Sequence, residues 1–372
     1  MVIRLSATRI KAYLTCPRKY RYAYLDNIPA VPTGAVVFGR VMHQTLYRLH
    51  VAAEQQTANL NVEAGFREFD ALWRAALEAE QPLFTEGSAG AQTYWDLADD
   101  MLRGYIALQQ ETAAPLAVEF PFELRWEDCA LSGIIDRIDM QENSLVVMDY
   151  KTGQRKPAPQ ALRDDLQLTL YAYAAEQVFK RPVERIVHYH LRDHSQLVTT
   201  RTPQDVQRLT QGILRHSVLP RLNASESDPS GSQQGFEPRF GYWCRFCDYR
   251  ELCLADTPQH RVLTTPTRLT AMQHRELPTV EGGTQLSQVP TDGAAKVSTE
   301  PEGIPQPATP AQCRAIEVLV ARSPLSQEPL GQLLQARFGR DAVTALHYGQ
   351  ASQLLLELQR QERLKAQAMK QK

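Results

Sequence analysis

Residues 131–151 read LSGIIDRIDMQENSLVVMDYK, two apolar runs separated by a polar turn at residues 141–144. Apolar runs bounded by such a turn predict a β-hairpin. If the hairpin is symmetric about its turn, Asp136 lies opposite Asp149, with Cβ atoms about 5 Å apart. Lys151 follows Asp149 by two residues and therefore points to the same face of its strand. The hairpin thus predicts two acids and an amine on one face of a sheet.

Two carboxylates placed opposite one another destabilise a sheet unless a cation lies between them. Hard oxygen ligands suit Mg²⁺ or Mn²⁺, and an ammonium beside such an ion can stabilise a developing oxyanion. The alternative is a surface hairpin with a Lys–Asp ion pair, which accounts for one acid but not for both. The prediction depends on the register, because a slip of one residue would put the two acids on opposite faces.

Four further motifs flank this hairpin. Together with it they resemble the PD-(D/E)xK nucleases, in the RecB-like branch that includes the AddB-type nuclease domain and the CRISPR-associated iron–sulfur exonucleases. The resemblance covers roughly residues 5–256, with the motifs in the expected order. They are Cys16-Pro17, the Gly-x-x-x-His of Gly39–His43, the Gln-x-x-x-Tyr of Gln167–Tyr171, and the triplet Cys244, Cys247 and Cys253.

The resemblance implies an α/β fold, with a central mixed β-sheet flanked by helices in a restriction-endonuclease-like core. It implies that Lys151 is catalytic and that Gln167 and Tyr171 contact DNA or position Lys151. It also implies a metal site, whose ligands would be His43, Asp136, Asp149 and the backbone carbonyl of Tyr150. Glu119 matches a further carboxylate position only loosely. From the residues alone, His43 could instead be a buried structural histidine, and Gln167 and Tyr171 could serve helix packing.

Three cysteines within ten residues, from Cys244 to Cys253, provide thiolates suited to zinc or an iron–sulfur cluster. The resemblance implies a [4Fe–4S] cluster with Cys16 as the fourth ligand, and Zn²⁺ is the rival. The nearby aromatic side chains of Trp243, Phe246 and Tyr249 could screen such a centre from water. We interpret the two remaining cysteines, Cys129 and Cys313, as ordinary core thiols.

Composition bounds the class of protein. The chain has 372 residues, a formal net charge of −1 and 43% hydrophobic residues, which excludes a uniformly basic nucleic-acid coat and an acidic tail protein. No apolar run approaches the ~18 residues of a membrane span, and basic residues interrupt the N-terminus where a signal peptide would be apolar. We therefore expect a cytoplasmic protein without membrane contact.

The domain prediction has three parts. Residues 1–255 form the nuclease domain with its cysteine-ligated cluster. Residues 256–309 are a flexible linker, because they contain seven prolines and no Phe, Trp or Tyr and so cannot bury a core. Residues 310–372 regain helical periodicity and form a small all-helical module with a basic tail.

The expected function is a metal-dependent DNA nuclease, an exonuclease acting on DNA ends or single strands in repair, recombination or defence. The alternatives are a catalytically silent iron–sulfur DNA-binding scaffold and a zinc-dependent RNA-binding module. The chain has no Gly-x-x-x-x-Gly-Lys-Ser/Thr loop, so a helicase would have to be a separate partner. Four aromatic residues could stack on bases, namely Tyr20, Tyr22, Tyr24 and Trp243. Packing in the core is the alternative role for them. Basic residues considered for a phosphate groove are Arg155, Lys156, Arg163, Arg245 and Arg250.

Overall fold

The computed structural model describes residues 3–55, 60–84, 89–109, 113–219, 222, 235–257, 306–322 and 330–370. Their contacts divide them into two compact units. The first contains residues 3–8 and 32–217, and the second contains residues 9–31, 218–257 and 306–370. The strands are β1 (Ile3–Leu5), β2 (Ala117–Trp126), β3 (Cys129–Gln141), β4 (Ser144–Lys151), β5 (Val183–His190) and β6 (Ser195–Thr199).

Most of the remaining described residues lie in helices. In the first half of the chain these are α1 (Ala7–Thr15), α2 (Pro17–Tyr20), a π-helical turn (Arg21–Leu25), α3 (Gly34–Glu54), α4 (Val62–Glu80) and α5 (Ala89–Gln109). In the second half they are α6 (Pro159–Arg163), α7 (Leu166–Phe179), α8 (Pro203–Gln207), a π-helix (Arg208–Val218), a 3₁₀ turn (Tyr242–Phe246), α9 (Arg250–Asp256), α10 (Pro310–Val320), α11 (Leu330–Phe338), a 3₁₀ turn (Val343–Ala345) and α12 (Tyr348–Lys370).

The six strands of the first unit form one mixed sheet, in which β3 is central. Strand β2 pairs antiparallel with one edge of β3 over its whole length, from 117↔138 to 126↔129. The other edge of β3 pairs with β1 at 129–131, in parallel, and with β4 at 137–141, antiparallel. Strands β5 and β6 extend the sheet beyond β4. Residues 132–136 of β3 therefore have no strand partner on the edge that β1 and β4 share, and Asp136 lies at the end of that interval.

Helices cover both faces of this sheet, which confirms the α/β class and the flanked mixed sheet. Alternate residues of β4, Val146, Met148 and Tyr150, are buried in a core with α3, α4 and α5. The intervening residues, including Asp149, point to the other face, where α7 packs against β4 and β5. Helix α7 is buried along most of its length, and Asp165 caps its N-terminus by accepting a hydrogen bond from the Leu168 N–H.

The second unit has a core of its own. It joins the N-terminal segment, the cysteine-bearing segment and the C-terminal helices. Tyr22, Ile28, Tyr249 and Leu252 are buried in the same cluster as the apolar faces of α10, α11 and α12. The prediction that Cys313 is a core thiol is confirmed, as is that for Cys129 of the first unit, since both are buried.

The predicted hairpin forms with the expected register, because Ile138 pairs with Val147 and Met140 with Leu145. Helix α3 begins at Gly34, where the ring of Phe84 packs so closely that a Cβ would lie 2.3 Å from it. Helices α6 and α7 are separated at residues 164–165, and β5 and β6 are joined by a turn.

Residues 258–305, most of the predicted linker, lie outside the described residues. Among the residues that are described, none of the helices combines the length and the apolar character needed to span a bilayer.

Candidate active site

The site begins where strands β3 and β4 separate. Their regular pairing ends at Arg137↔Met148, one position before Asp136 and Asp149. Beyond that point the Tyr150 N–H donates a hydrogen bond to Asp136 Oδ2 at 2.7 Å, so a carboxylate takes the place of a strand carbonyl. Asp136 is 6% exposed and Asp149 is 1% exposed, and the buried carboxylates therefore require compensating partners.

His43 and Glu119 complete a group of possible metal ligands around Asp136. His43 Nδ1 lies 3.3 Å from Asp136 Oδ1 and 3.6 Å from Glu119 Oε1. Ligand atoms of the three residues all lie within 4.8 Å of one another. Glu119 adopts a left-handed backbone conformation, with φ at 43°, in the middle of β2 and opposite Asp136 in the β2–β3 register. Such a conformation is uncommon for a non-glycine residue, and it changes the direction of the side chain from that of a regular strand.

The charges of this group are mutually dependent. Burial lowers the pKa of His43, but Asp136 and Glu119 outweigh burial and raise it to about 10. Burial raises the pKa of Asp136, and the neighbouring Asp149 and Glu119 raise it further, although His43 opposes them. A proton on His43 thus balances the acids, and a divalent cation at the same place could do so more fully.

Asp149 is contacted by three side chains, those of Lys151, His188 and Gln167. Its Oδ2 lies 2.6 Å from Lys151 Nζ and 3.1 Å from His188 Nε2, and its Oδ1 accepts a hydrogen bond from Gln167 Nε2 at 3.2 Å. Burial would raise the pKa of Asp149, but His188 and Lys151 lower it below its usual value. Asp149 is therefore ionised, and Lys151 is directed to the carboxylate pair.

Gln167 also donates to the Tyr171 hydroxyl, at 2.8 Å, and the two residues lie one helical turn apart on α7. Burial raises the pKa of Tyr171, as do the nearby Asp136 and Asp149. Tyr171 thus remains a neutral hydroxyl. It accepts one hydrogen bond from Gln167 and keeps its own proton to donate.

A buried polar network supports Tyr150 from the opposite face of the sheet. The Tyr150 hydroxyl lies 2.6 Å from the Tyr105 hydroxyl, which lies 2.6 Å from His50 Nε2 and accepts from Arg137 Nη1 at 3.3 Å. Arg137 is 2% exposed and pairs with Asp139. This network fixes the strand segment whose backbone N–H binds Asp136.

Comparison with known proteins decides the family. The family model described as the PD-(D/E)XK nuclease superfamily matches residues 4–254. The chain belongs to this superfamily. Its nucleases use divalent metals, and the acids, the lysine and the histidine described above lie within the matched residues.

Individual relatives are distant from this superfamily member. The Gene 69 protein of Mycobacterium phage L5 is 22% identical over 291 residues, covering 67% of this chain and 95% of that protein. The CRISPR-associated exonuclease Cas4/endonuclease Cas1 fusion of Myxococcus xanthus is 30% identical over 159 residues, covering 41% of this chain and 25% of the fusion. A candidate exonuclease from Eubacterium rectale, known from its crystal structure, aligns with a TM-score of 0.41 at 11% identity, covering 71% of this chain and 91% of that one.

Two residues of the site do not follow from the sequence motifs. Glu119 matches a motif position only loosely, and no motif points to His188. His188 is opposite Asp149 in the parallel pairing of β4 and β5, so register across three strands was needed to find it. The available signal was the histidine pair His188 and His190 within a strand that is otherwise largely apolar.

Four of the five cysteines of the second unit line one pocket, and the fifth, Cys313, is in the core. Cys16 follows α1, Cys244 and Cys247 lie at the 3₁₀ turn, and Cys253 lies on α9. Burial raises the pKa of the Cys247 and Cys253 thiols to about 11, so a bound cation would be needed to hold them as thiolates at neutral pH.

Two of the three aromatic residues expected to screen this pocket do line it. These are Trp243 and Tyr249. The prediction is wrong for Phe246, which does not line the pocket and is 73% exposed.

Proposed function

We propose that this superfamily member is a metal-dependent deoxyribonuclease that hydrolyses phosphodiester bonds as an exonuclease on DNA ends or single strands. The observation that carries the proposal is the convergence of Asp149 and Lys151, at 2.6 Å, beside the group of His43, Glu119 and Asp136. An inert scaffold has no chemical need for buried acids beside an amine, because each buried charge costs free energy.

The proposed metal ligands are His43, Asp136, Asp149 and the carbonyl of Tyr150, with Glu119 added because of its position. Their donor set of carboxylate oxygens and one imidazole fits Mg²⁺ or Mn²⁺. A divalent ion bound there would neutralise phosphate charge and lower the pKa of the attacking water.

The remaining side chains act on the substrate directly or through Asp149. Lys151 Nζ is available to donate to a phosphate oxygen, where charge develops during the reaction. Gln167 orients the Asp149 carboxylate and the Tyr171 hydroxyl together. Tyr171 in turn keeps a proton to donate to the DNA backbone.

The exonuclease assignment is supported by the relative from Myxococcus xanthus, whose name describes an exonuclease joined to an endonuclease. DNA is the proposed substrate because the chain belongs to a nuclease superfamily. DNA repair, recombination or defence is the proposed setting, and a separate helicase is the proposed motor partner.

For the cysteine pocket we propose a [4Fe–4S] cluster ligated by Cys16, Cys244, Cys247 and Cys253. The support is that all four cysteines line one pocket, where their thiolates could hold an iron–sulfur cluster. Zn²⁺ is the rival occupant, because it takes the same four thiolates.

The test is digestion of end-labelled single-stranded and blunt duplex DNA with Mg²⁺, with Mn²⁺ and without metal. We expect metal-dependent release of short products from the ends. Lys151→Ala should reduce the rate at least about 100-fold because it removes a donor to the developing charge. The control is Arg103→Ala, which removes a 62% exposed arginine paired with Asp99 on α5 and should leave the rate unchanged.

Equal rates for Lys151→Ala and wild type would remove Lys151 from catalysis. Binding of DNA without cleavage in any metal would favour the silent scaffold instead. Anaerobic purification followed by analysis for iron, sulfide and zinc separates the cluster from a zinc site.

A further inference from the structure

The 3₁₀ turn between the cysteines presents two aromatic rings to solvent. Phe246 is 73% exposed and Tyr242 is 67% exposed, and they are the two most exposed large hydrophobic side chains among the described residues. No residue of the turn is buried. Exposed aromatic rings cost free energy in water, and a pair of them within one turn indicates a contact surface.

The turn is rigid. The ring of Trp243 folds back over Gly241, where a Cβ would lie 2.4 Å from it, and its indole N–H donates to Arg239 O at 3.0 Å. The backbone N–H of Cys244 donates to Gly241 O at 3.0 Å, and that of Cys247 donates to Cys244 O at 3.3 Å. These contacts fix the backbone that carries the two outward rings, which lowers the entropic cost of binding.

The charge around the rings is positive. Three acids of this segment are each paired with an arginine of residues 310–370, namely Asp248 with Arg363, Glu251 with Arg322 and Asp256 with Arg314. Arg245 is exposed and lies over the Phe246 ring at 5.2 Å, and it forms no ion pair with a carboxylate of the residues the structure describes. An uncompensated guanidinium beside two open rings complements a phosphate followed by unpaired bases.

We propose that Tyr242, Arg245 and Phe246 form a stacking platform for single-stranded DNA. The rings stack on bases, and the guanidinium binds the adjoining phosphate. This inference rests on the proposed DNA substrate and adds a binding site to it. Of the three tyrosines considered from the sequence, Tyr20 and Tyr22 are only 3% and 4% exposed and belong to the core, whereas Tyr24 is half-buried.

The test measures the affinity of the full-length protein for a short fluorescein-labelled oligothymidylate by anisotropy. The Lys151→Ala background is used so that the strand is bound rather than cut. Tyr242→Ala and Phe246→Ala should each weaken binding roughly tenfold, because each removes the stacking of one base. Phe246→Trp should retain the affinity, whereas Phe246→Leu should not, because only the former keeps a flat ring. Binding to blunt duplex DNA should not change.

Arg245→Gln should weaken binding. It should also reduce the slope of log affinity against log salt concentration by about 1, which is the change expected when one phosphate contact is lost. Because these side chains are exposed, each variant should keep the thermal midpoint and the absorption of the cysteine centre seen in wild type. Both measurements serve as controls for folding.

Wild-type affinity in both alanine variants would overturn the platform, as would full affinity in Phe246→Leu. If Phe246→Ala changes only self-association in sedimentation, the surface is a contact between copies of the chain, and the platform is again overturned. These results are independent of the nuclease assignment. Lys151-dependent cleavage with unaltered binding by the variants would contradict only the platform. Ring-dependent binding without cleavage by wild type would contradict only the nuclease.

Discussion

At the scale of single residues, the site is a row of charges across the sheet. Glu119, Asp136 and Asp149 belong to three adjacent strands, and His188 continues the row on the fourth. Lysine and histidine side chains compensate part of this negative charge, and the arrangement is otherwise destabilising. The excess of carboxylate is the physical reason to expect a metal ion there.

Glu119 provides a test of that expectation with a control on the same strand. Glu119→Gln removes one carboxylate from the group around Asp136, so we expect the Mn²⁺ affinity to fall roughly tenfold or more. Glu123→Gln changes a side chain that is 51% exposed and faces Arg4, and its affinity should equal that of wild type. Calorimetric titration of each full-length protein with Mn²⁺ measures both. Equal affinities in the two variants would exclude Glu119 as a ligand.

At the scale of elements, the packing of α3 and α5 on the sheet buries a polar network within an otherwise apolar core. Burial, together with the nearby charge of Arg137, lowers the pKa of His50 to about 4. The groups that face the network from the packed elements are Tyr105, Tyr150 and Arg137. His50 is therefore neutral in the folded protein, although it would be protonated in the unfolded chain at mildly acidic pH.

This difference predicts a pH dependence of stability. The pKa of His50 lies below its ordinary value of 6.5, so the unfolded state binds more protons as the pH falls from 6.5 towards 4. Between about pH 7.5 and about pH 5, this group alone should reduce the free energy of unfolding by about 2 kcal/mol. His50→Gln can keep the hydrogen bond to Tyr105 without titrating. Urea unfolding at the two pH values should show a smaller loss in this variant, and an equal loss would contradict the assignment.

At the scale of the whole molecule, the second unit joins segments that are far apart in the chain. The Tyr249 hydroxyl donates to Ile28 O at 2.9 Å, and Gln359 Nε2 donates to Pro29 O at 2.8 Å. Cys247 and Cys253 pack against the core that α10, α11 and α12 complete. The C-terminal helices therefore contribute to the surroundings of the cysteine pocket.

We expect weakened packing of α12 to expose these cysteines. Leu355→Ala removes a fully buried side chain and should cost about 2–5 kcal/mol of stability. Leu364→Ala lies on the same helix at a side chain that is 50% exposed and should cost far less. The measurements are the rate of cysteine alkylation and the rate of iron loss in air. Both rates should rise in the Leu355 variant only. Identical rates in the two variants would show that the packing of α12 does not protect the cysteines.

The sequence by itself determined the hairpin register, the positions of Asp136, Asp149 and Lys151, and the spacing of the cysteines. These features follow from turn symmetry, strand periodicity and short spacing, which act between neighbours in the chain. Only the tertiary structure decided that Glu119 and His188 join the acids, that Tyr242 and Phe246 face solvent, and that α10–α12 share a core with the cysteine-bearing segment. Each of these depends on how strands and helices distant in sequence pack, and local periodicity carries no information about that.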